Sequence, residues 1–163
     1  MNEAGPLRVE LDQLDAYVGK NVGRSAWYTI TQEQVNRFAD ATHDHQWIHV
    51  DPARAEGGPF GQTIAHGYLT LSMAPVLLFE VLEVAGVGLV INYGANRVRF
   101  PAPVLVGSRL RASVDLLETT AVEGGVQATF RMTFEAEGTT KPVCVAEIVY
   151  RYFRADQGHD EKE

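Results

Sequence analysis

The chain has 163 residues, 45% of them apolar, which suits one globular domain with a substantial core. Its formal net charge of −7 speaks against nucleic acid as a partner, because a phosphate backbone needs a basic face. The single cysteine, Cys144, permits no intrachain disulfide and suits a reducing, cytoplasmic compartment, and no stretch approaches the roughly 20 apolar residues of a membrane span.

Residues 1–10 carry acids and no apolar run, so they read as a tail and not as a signal peptide. Leu11, Leu14 and Val18 suggest a short helical turn before Gly19, and Ser25 to Ile30 reads as a strand. Thr31-Gln32-Glu33-Gln34 fits a capping box, in which the threonine oxygen takes the amide three residues on and the glutamine reaches back. The helix it starts carries Val35, Phe38 and Ala39 on one stripe and should end near Ala41. Thr42 to Gln46 is polar and reads as loop. Asp51-Pro52 marks a second helix start, with the aspartate as cap and the proline at the first helical position. Gly57 to Gly61 cannot be regular.

Ile64 to Ala85 holds the longest helical pattern, apolar around most of its circumference, which is the mark of a buried helix. Pro75 should bend it unless a helix starts there. Beyond Gly86 the period changes to two. Leu110, Ala112, Val114 and Leu116 alternate with polar residues, as do Ala128, Phe130, Met132 and Phe134. Gly124-Gly125 and Gly138 mark turns, and Val143 to Phe153 makes a last strand. The architecture expected is α+β, an antiparallel sheet wrapped around one long central helix, over residues 11–153. The charged segment 154–163 reads as a disordered tail.

The chemistry-bearing residues cluster before and at the start of that helix. Asp44 and His49 put a carboxylate and an imidazole five residues apart, a pairing suited to proton transfer near neutral pH. The bland alternative is a turn cap and a satisfied buried histidine. Gly67 heads the helical pattern, where a backbone N–H can meet a developing oxyanion and the missing Cβ lets a ligand approach. His43, His45, His49 and His66 with Asp44 and Asp51 offer metal-ligand types but no HExxH spacing, so no metal is expected. No serine sits in a GxSxG elbow, and Cys144 falls in a strand as a structural thiol. Arg97, Arg99, Arg109 and Arg111 form the one concentrated basic group that could meet coenzyme phosphates; solvated strand faces are the ordinary reading of such charges.

Ala41-Thr42-His43-Asp44-His45-Gln46-Trp47-Ile48-His49-Val50-Asp51-Pro52 resembles the hydratase motif of the MaoC-like (R)-specific enoyl-CoA hydratases and dehydratases. Ile64-Ala65-His66-Gly67-Tyr68-Leu69 resembles the segment that opens their central helix, and Asn92-Tyr93-Gly94 with Val98 to Val104 resembles the strand that follows. The resemblance spans roughly residues 20 to 153. It implies a single hot-dog fold, a homodimer or dimer of dimers, and no metal or other cofactor, coenzyme A being part of the substrate. It implies reversible hydration of trans-2-enoyl-CoA to (R)-3-hydroxyacyl-CoA. Asp44 and His49 match the catalytic pair, and Gly67 matches the glycine whose amide binds the thioester oxygen. Gln46 stands where the family commonly has asparagine, and its amide still donates. His43 stands where glycine is common; a positive φ there would be strained for histidine. His66, Tyr68 and Ser72 would lie at the substrate, with an acyl tunnel running past Tyr68, Leu69, Ser72 and Met73, and Arg97 and Arg99 would meet coenzyme A phosphates.

Three other activities fit the same residues. A 3-hydroxyacyl-carrier-protein dehydratase runs the chemistry backwards, a hot-dog thioesterase cleaves the thioester instead, and a binding module keeps the groove without turnover.

Overall fold

A computed structural model describes residues 5–155. Leu7–Glu10 is strand β1, followed by a 3-10 turn over Leu11–Tyr17. Short strands β2, Asn21–Arg24, and β3, Tyr28–Thr29, replace the single strand expected over Ser25 to Ile30. Helix α1 covers Gln32–Thr42 and is capped as the sequence predicts. Thr31 Oγ1 accepts from the Gln34 amide at 3.2 Å, and Gln34 Oε1 accepts from the Thr31 amide at 2.9 Å. Trp47–Val50 forms a single turn, α2, so His49 stands on a helix. Asp51 caps α3, Pro52–Glu56, through a 3.0 Å bond to the Arg54 amide.

The long helix expected over Ile64 to Ala85 is two short ones. Helix α4 is Gly67–Ser72 and α5 is Ala74–Val81, with Met73 between them. Pro75 lies in the first turn of α5, where its missing N–H costs nothing. Ile64 to His66 are extended, because Ala65 donates to the Val104 carbonyl at 2.8 Å and Ile64 bridges Leu105. Leu82–Ala85 is strand β4, paired in parallel with β1. Thus residues 7–10 are structural and not a tail; a partner strand 75 residues away in sequence captures them.

The main sheet is antiparallel, ordered β2-β6-β7-β8-β5, with β3 also paired to β6. Its long strands are β5, Val87–Arg99; β6, Arg109–Val122; β7, Gly125–Ala136; and β8, Cys144–Arg154. The β6–β7 hairpin turns at Gly124, whose φ of +73° favours glycine. Arg154 ends β8 and bonds Asp12, so it too is structural, while the tail expected beyond it lies outside the described residues apart from Ala155.

The alternating residues Leu110, Ala112, Val114, Leu116, Phe130, Met132 and Phe134 are all fully buried and pack against Leu77, Leu78 and Val81 of α5. Each leucine there contributes about 1.5–3 kcal/mol by leaving water. Helix α5 is not buried all round, since Val76 is 43% and Phe79 47% exposed. Among the described residues no helix is long and apolar enough to cross a membrane.

His43 follows α1 with φ +61° and ψ +17°, in the left-handed region. A β-carbon there crowds the next carbonyl, and glycine is the usual occupant of this position. His43→Gly is therefore expected to raise stability by about 0.5–1 kcal/mol, the strain relieved less the entropy glycine loses. A urea midpoint that stays put or falls would contradict this.

Candidate active site

The chain reversal at His43 turns Asp44 back toward the start of α4. Asp44 is exposed, and its carboxylate accepts weakly from the Gln46 amide at 3.4 Å. His49 is 6% and His66 3% exposed. One donor atom from each of Asp44, His49 and His66 lies within 4.8 Å of the others. The sequence places the first two together; the third comes from the extended segment preceding α4.

Four hydrogen bonds hold this group. His49 Nδ1–H donates to the Ile64 carbonyl at 2.7 Å. A carbonyl only accepts, so the ring proton sits on Nδ1 and Nε2 presents a lone pair. His66 Nε2–H donates to the Asp44 carbonyl at 2.9 Å, and the two imidazoles stack with centroids 3.8 Å apart. Gln32, in the first turn of α1, donates from Nε2 to the His49 carbonyl at 2.7 Å, and Thr63 donates to Gln32 Oε1 at 2.6 Å. Burial pushes the His49 pKa down from its ordinary value, against the Ile64 carbonyl, which favours the charged form; His66 lowers it further and Asp44 raises it. The neutral ring, an acceptor at Nε2, is thereby favoured.

Gly67 is the first residue of α4, so its N–H has no partner within the helix. A Cβ on Gly67 would lie 3.2 Å from ring carbons of Phe100, tighter than ordinary van der Waals contact. The Phe100 ring therefore covers this backbone. A cavity of about 280 Å³ opens beside them, lined by His49, Gly67, Thr70, Phe100, Val104 and Val143 among others.

Several expected positions fall elsewhere. Tyr68 is 71% exposed and meets Phe100 edge-on outside the cavity. Exposed Ser72 turns its hydroxyl back to the Tyr68 carbonyl at 2.6 Å, and Met73 does not line the cavity either. The rotation of α4 brings Gly67 and Thr70 to the cavity in their place. Gln46 is exposed before α2 and makes no side-chain cap bond. His45 pairs with Asp40 at 2.8 Å, away from the cluster. Arg109 and Arg111 are neutralised by Glu137 and Glu135 and lie over Trp27. Arg97 and Arg99 precede Phe100, and among the described residues neither has a carboxylate at ion-pair distance. Burial pushes the Cys144 thiol up to about 12, so it is a structural thiol and not a thiolate nucleophile.

A sequence model of the MaoC-like domain matches residues 13–137. The chain belongs to the MaoC-like family. It is 59% identical over 140 residues to the 3-hydroxyacyl-thioester dehydratase Z of Mycobacterium tuberculosis, covering 85% of this chain and 93% of that protein. It is 42% identical over 141 residues to nodulation protein N of Rhizobium meliloti, covering 85% and 88% respectively. Among solved structures it resembles the (R)-hydratase from A. caviae involved in PHA biosynthesis, with a TM-score of 0.67 and 27% identity over 82% of this chain and 94% of that one. The hot-dog fold of the MaoC-like proteins is thus the fold of this chain.

Sequence reasoning missed Gln32, Thr63 and Phe100 as parts of this MaoC-like site. Gln32 sits inside the capping-box signature, where it reads as an ordinary helix-start residue. Phe100 carries the one available signal, an aromatic next to Pro101 at the end of a strand.

Proposed function

We propose that the protein is a hydro-lyase acting on acyl thioesters, interconverting trans-2-enoyl-CoA and (R)-3-hydroxyacyl-CoA. The observation that carries this is one cavity lined by both Gly67, the first residue of α4, and buried His49, whose Nε2 is left unprotonated by the Nδ1–H bond to Ile64, with Asp44 grouped beside His49. The thioester carbonyl accepts from the Gly67 N–H, which stabilises the charge that gathers on its oxygen as water adds at C3. His49 Nε2 begins without a proton, so it takes one from the attacking water while Asp44 holds the other hydrogen. The proton on Nε2 then passes to C2 on the same face, and the ring returns to its starting form. In reverse the ring takes the C2 proton and returns it to the departing hydroxyl, so one arrangement serves hydration and dehydration.

No cofactor enters these steps. The reaction as written calls on no divalent metal at the Asp44, His49 and His66 cluster, whose two imidazoles stack face to face at an interplanar angle of 25°. Arg97 and Arg99, at the cavity end of β5, would meet the coenzyme phosphates. The name of the mycobacterial relative favours the dehydration direction and leaves the carrier, coenzyme A or a carrier protein, unstated.

Loss of crotonyl-CoA absorbance at its enoyl-thioester band is expected without thiol release. Asp44→Asn and His49→Ala should each lower kcat by about two orders of magnitude or more with folding retained, and Arg97→Ala with Arg99→Ala should raise KM and spare kcat. Thiol release would make the protein a thioesterase, binding without turnover would make it a module, and near-wild-type turnover in either catalytic variant would remove that residue from the mechanism.

We also propose a homodimer joined through β5. This strand ends the sheet and exposes Leu89, Ile91 and Tyr93 at 54%, 41% and 56%, with Val76 and Phe79 also uncovered on α5. A long apolar edge invites strand pairing. Light scattering at micromolar concentration should give twice the chain mass; a monomer would refute it.

A further inference from the structure

His66 is buried beside the proposed chemistry, yet it does not line the cavity. Its Nε2–H is committed to the Asp44 carbonyl, so in the neutral ring Nδ1 is a bare lone pair. That Nδ1 is buried and has no hydrogen-bond partner. One ring face lies on His49 at 3.8 Å, and the Phe38 ring of α1 lies tilted against it at 5.0 Å. Its own carbonyl accepts from the Thr70 amide at 3.1 Å, and the next residue is Gly67. One side chain thus touches the backbone of the carboxylate loop and the face of the reacting imidazole, and it is covalently joined to the oxyanion amide.

An apolar ring would fill this space without leaving a buried acceptor unsatisfied. What such a ring lacks is the N–H that reaches the Asp44 carbonyl. We propose that His66 is a positioning residue, which clamps the Asp44 loop to the start of α4 and sets the His49 ring without touching substrate. Its catalytic consequence rests on the hydro-lyase function proposed above, whereas the clamp itself does not.

The clamp makes two demands that simple packing would not. The first is a donor at the Asp44 carbonyl. Glutamine restores one at the reach of Nε2, and alanine does not. The second concerns His49, whose facing titratable groups are Asp44 from the loop and His66 from the start of α4, its remaining polar partner being the neutral Ile64 carbonyl. Replacing His66 by alanine admits water to the His49 face and removes the repelling imidazole. Both changes favour protonated His49, so its titration moves to higher pH.

The experiment compares His66→Ala and His66→Gln with wild type, each verified as folded by circular dichroism. Crotonyl-CoA hydration gives kcat and KM, and NMR of the His49 ring in the absence of substrate gives its titration midpoint. In His66→Ala, kcat should fall about 10- to 100-fold with a smaller change in KM, the acid limb of the rate profile should move to higher pH, and the His49 midpoint should rise. His66→Gln should recover kcat to within a few-fold of wild type. A glutamine variant as impaired as alanine, or a His49 midpoint unchanged in His66→Ala, would overturn the clamp. If wild type fails to turn over crotonyl-CoA at all, the hydro-lyase function fails, and the NMR midpoint still decides the clamp.

Discussion

The site depends on one hydrogen bond, from His49 Nδ1–H to the Ile64 carbonyl at 2.7 Å. It fixes the tautomer, and so decides that the ring offers a lone pair and not a proton. It also ties the single turn of α2 to the extended segment that leads into α4. The Ile64 amide in turn donates to the Ile48 carbonyl at 3.0 Å, so the two segments hold each other in both directions. Release of either bond would uncouple the imidazole from the Gly67 amide, since only Ala65 and His66 separate Ile64 from Gly67.

The fold serves this junction. Ile64 to His66 must be extended for the Ile64 carbonyl to face His49, and the bridge to Leu105 with the bond to Val104 keeps them so. A helix running from Ile64 would bury that carbonyl in its own ladder and leave His49 without a partner. The segment between β5 and β6 therefore does two things. It holds the segment before α4, and it carries Phe100 over Gly67, where only a backbone without Cβ fits comfortably. Burial of α5 by Leu77, Leu78 and Val81 anchors the helical pair against the sheet.

Much of this was legible where the rule is local. The capping box at Thr31, the Asp51-Pro52 start, the hairpin at Gly124 and the inward alternation of β6 and β7 each depend on neighbours in sequence, and each stands as the sequence predicts. The positive φ at His43 was legible only through the resemblance to the MaoC-like motif, in which glycine is common at that position. The break at Met73 falls where Pro75 signals a helix start, whereas the early end of the pattern was not legible, because Leu82–Ala85 leaves it for a parallel partner at the other end of the chain. The neutralisation of Arg111 by Glu135 depends on β6–β7 register, in which the two face each other. Tyr68 and Ser72 missed the cavity because periodicity gives the stripes of a helix but not its rotation. Gln32 and His66 act through tertiary hydrogen bonds to backbone, which leave no pattern in sequence.

The central claim is spatial: the thioester carbonyl at Gly67, and C3 beside His49 and Asp44. A crystal structure of the Asp44→Asn protein soaked with crotonyl-CoA tests it most directly. The account predicts the thioester oxygen about 2.7–3.1 Å from the Gly67 nitrogen, the acyl chain in the cavity by Thr70 and Val143, and C3 facing His49 Nε2. A thioester oxygen bound elsewhere, or an acyl chain outside that cavity, would contradict it.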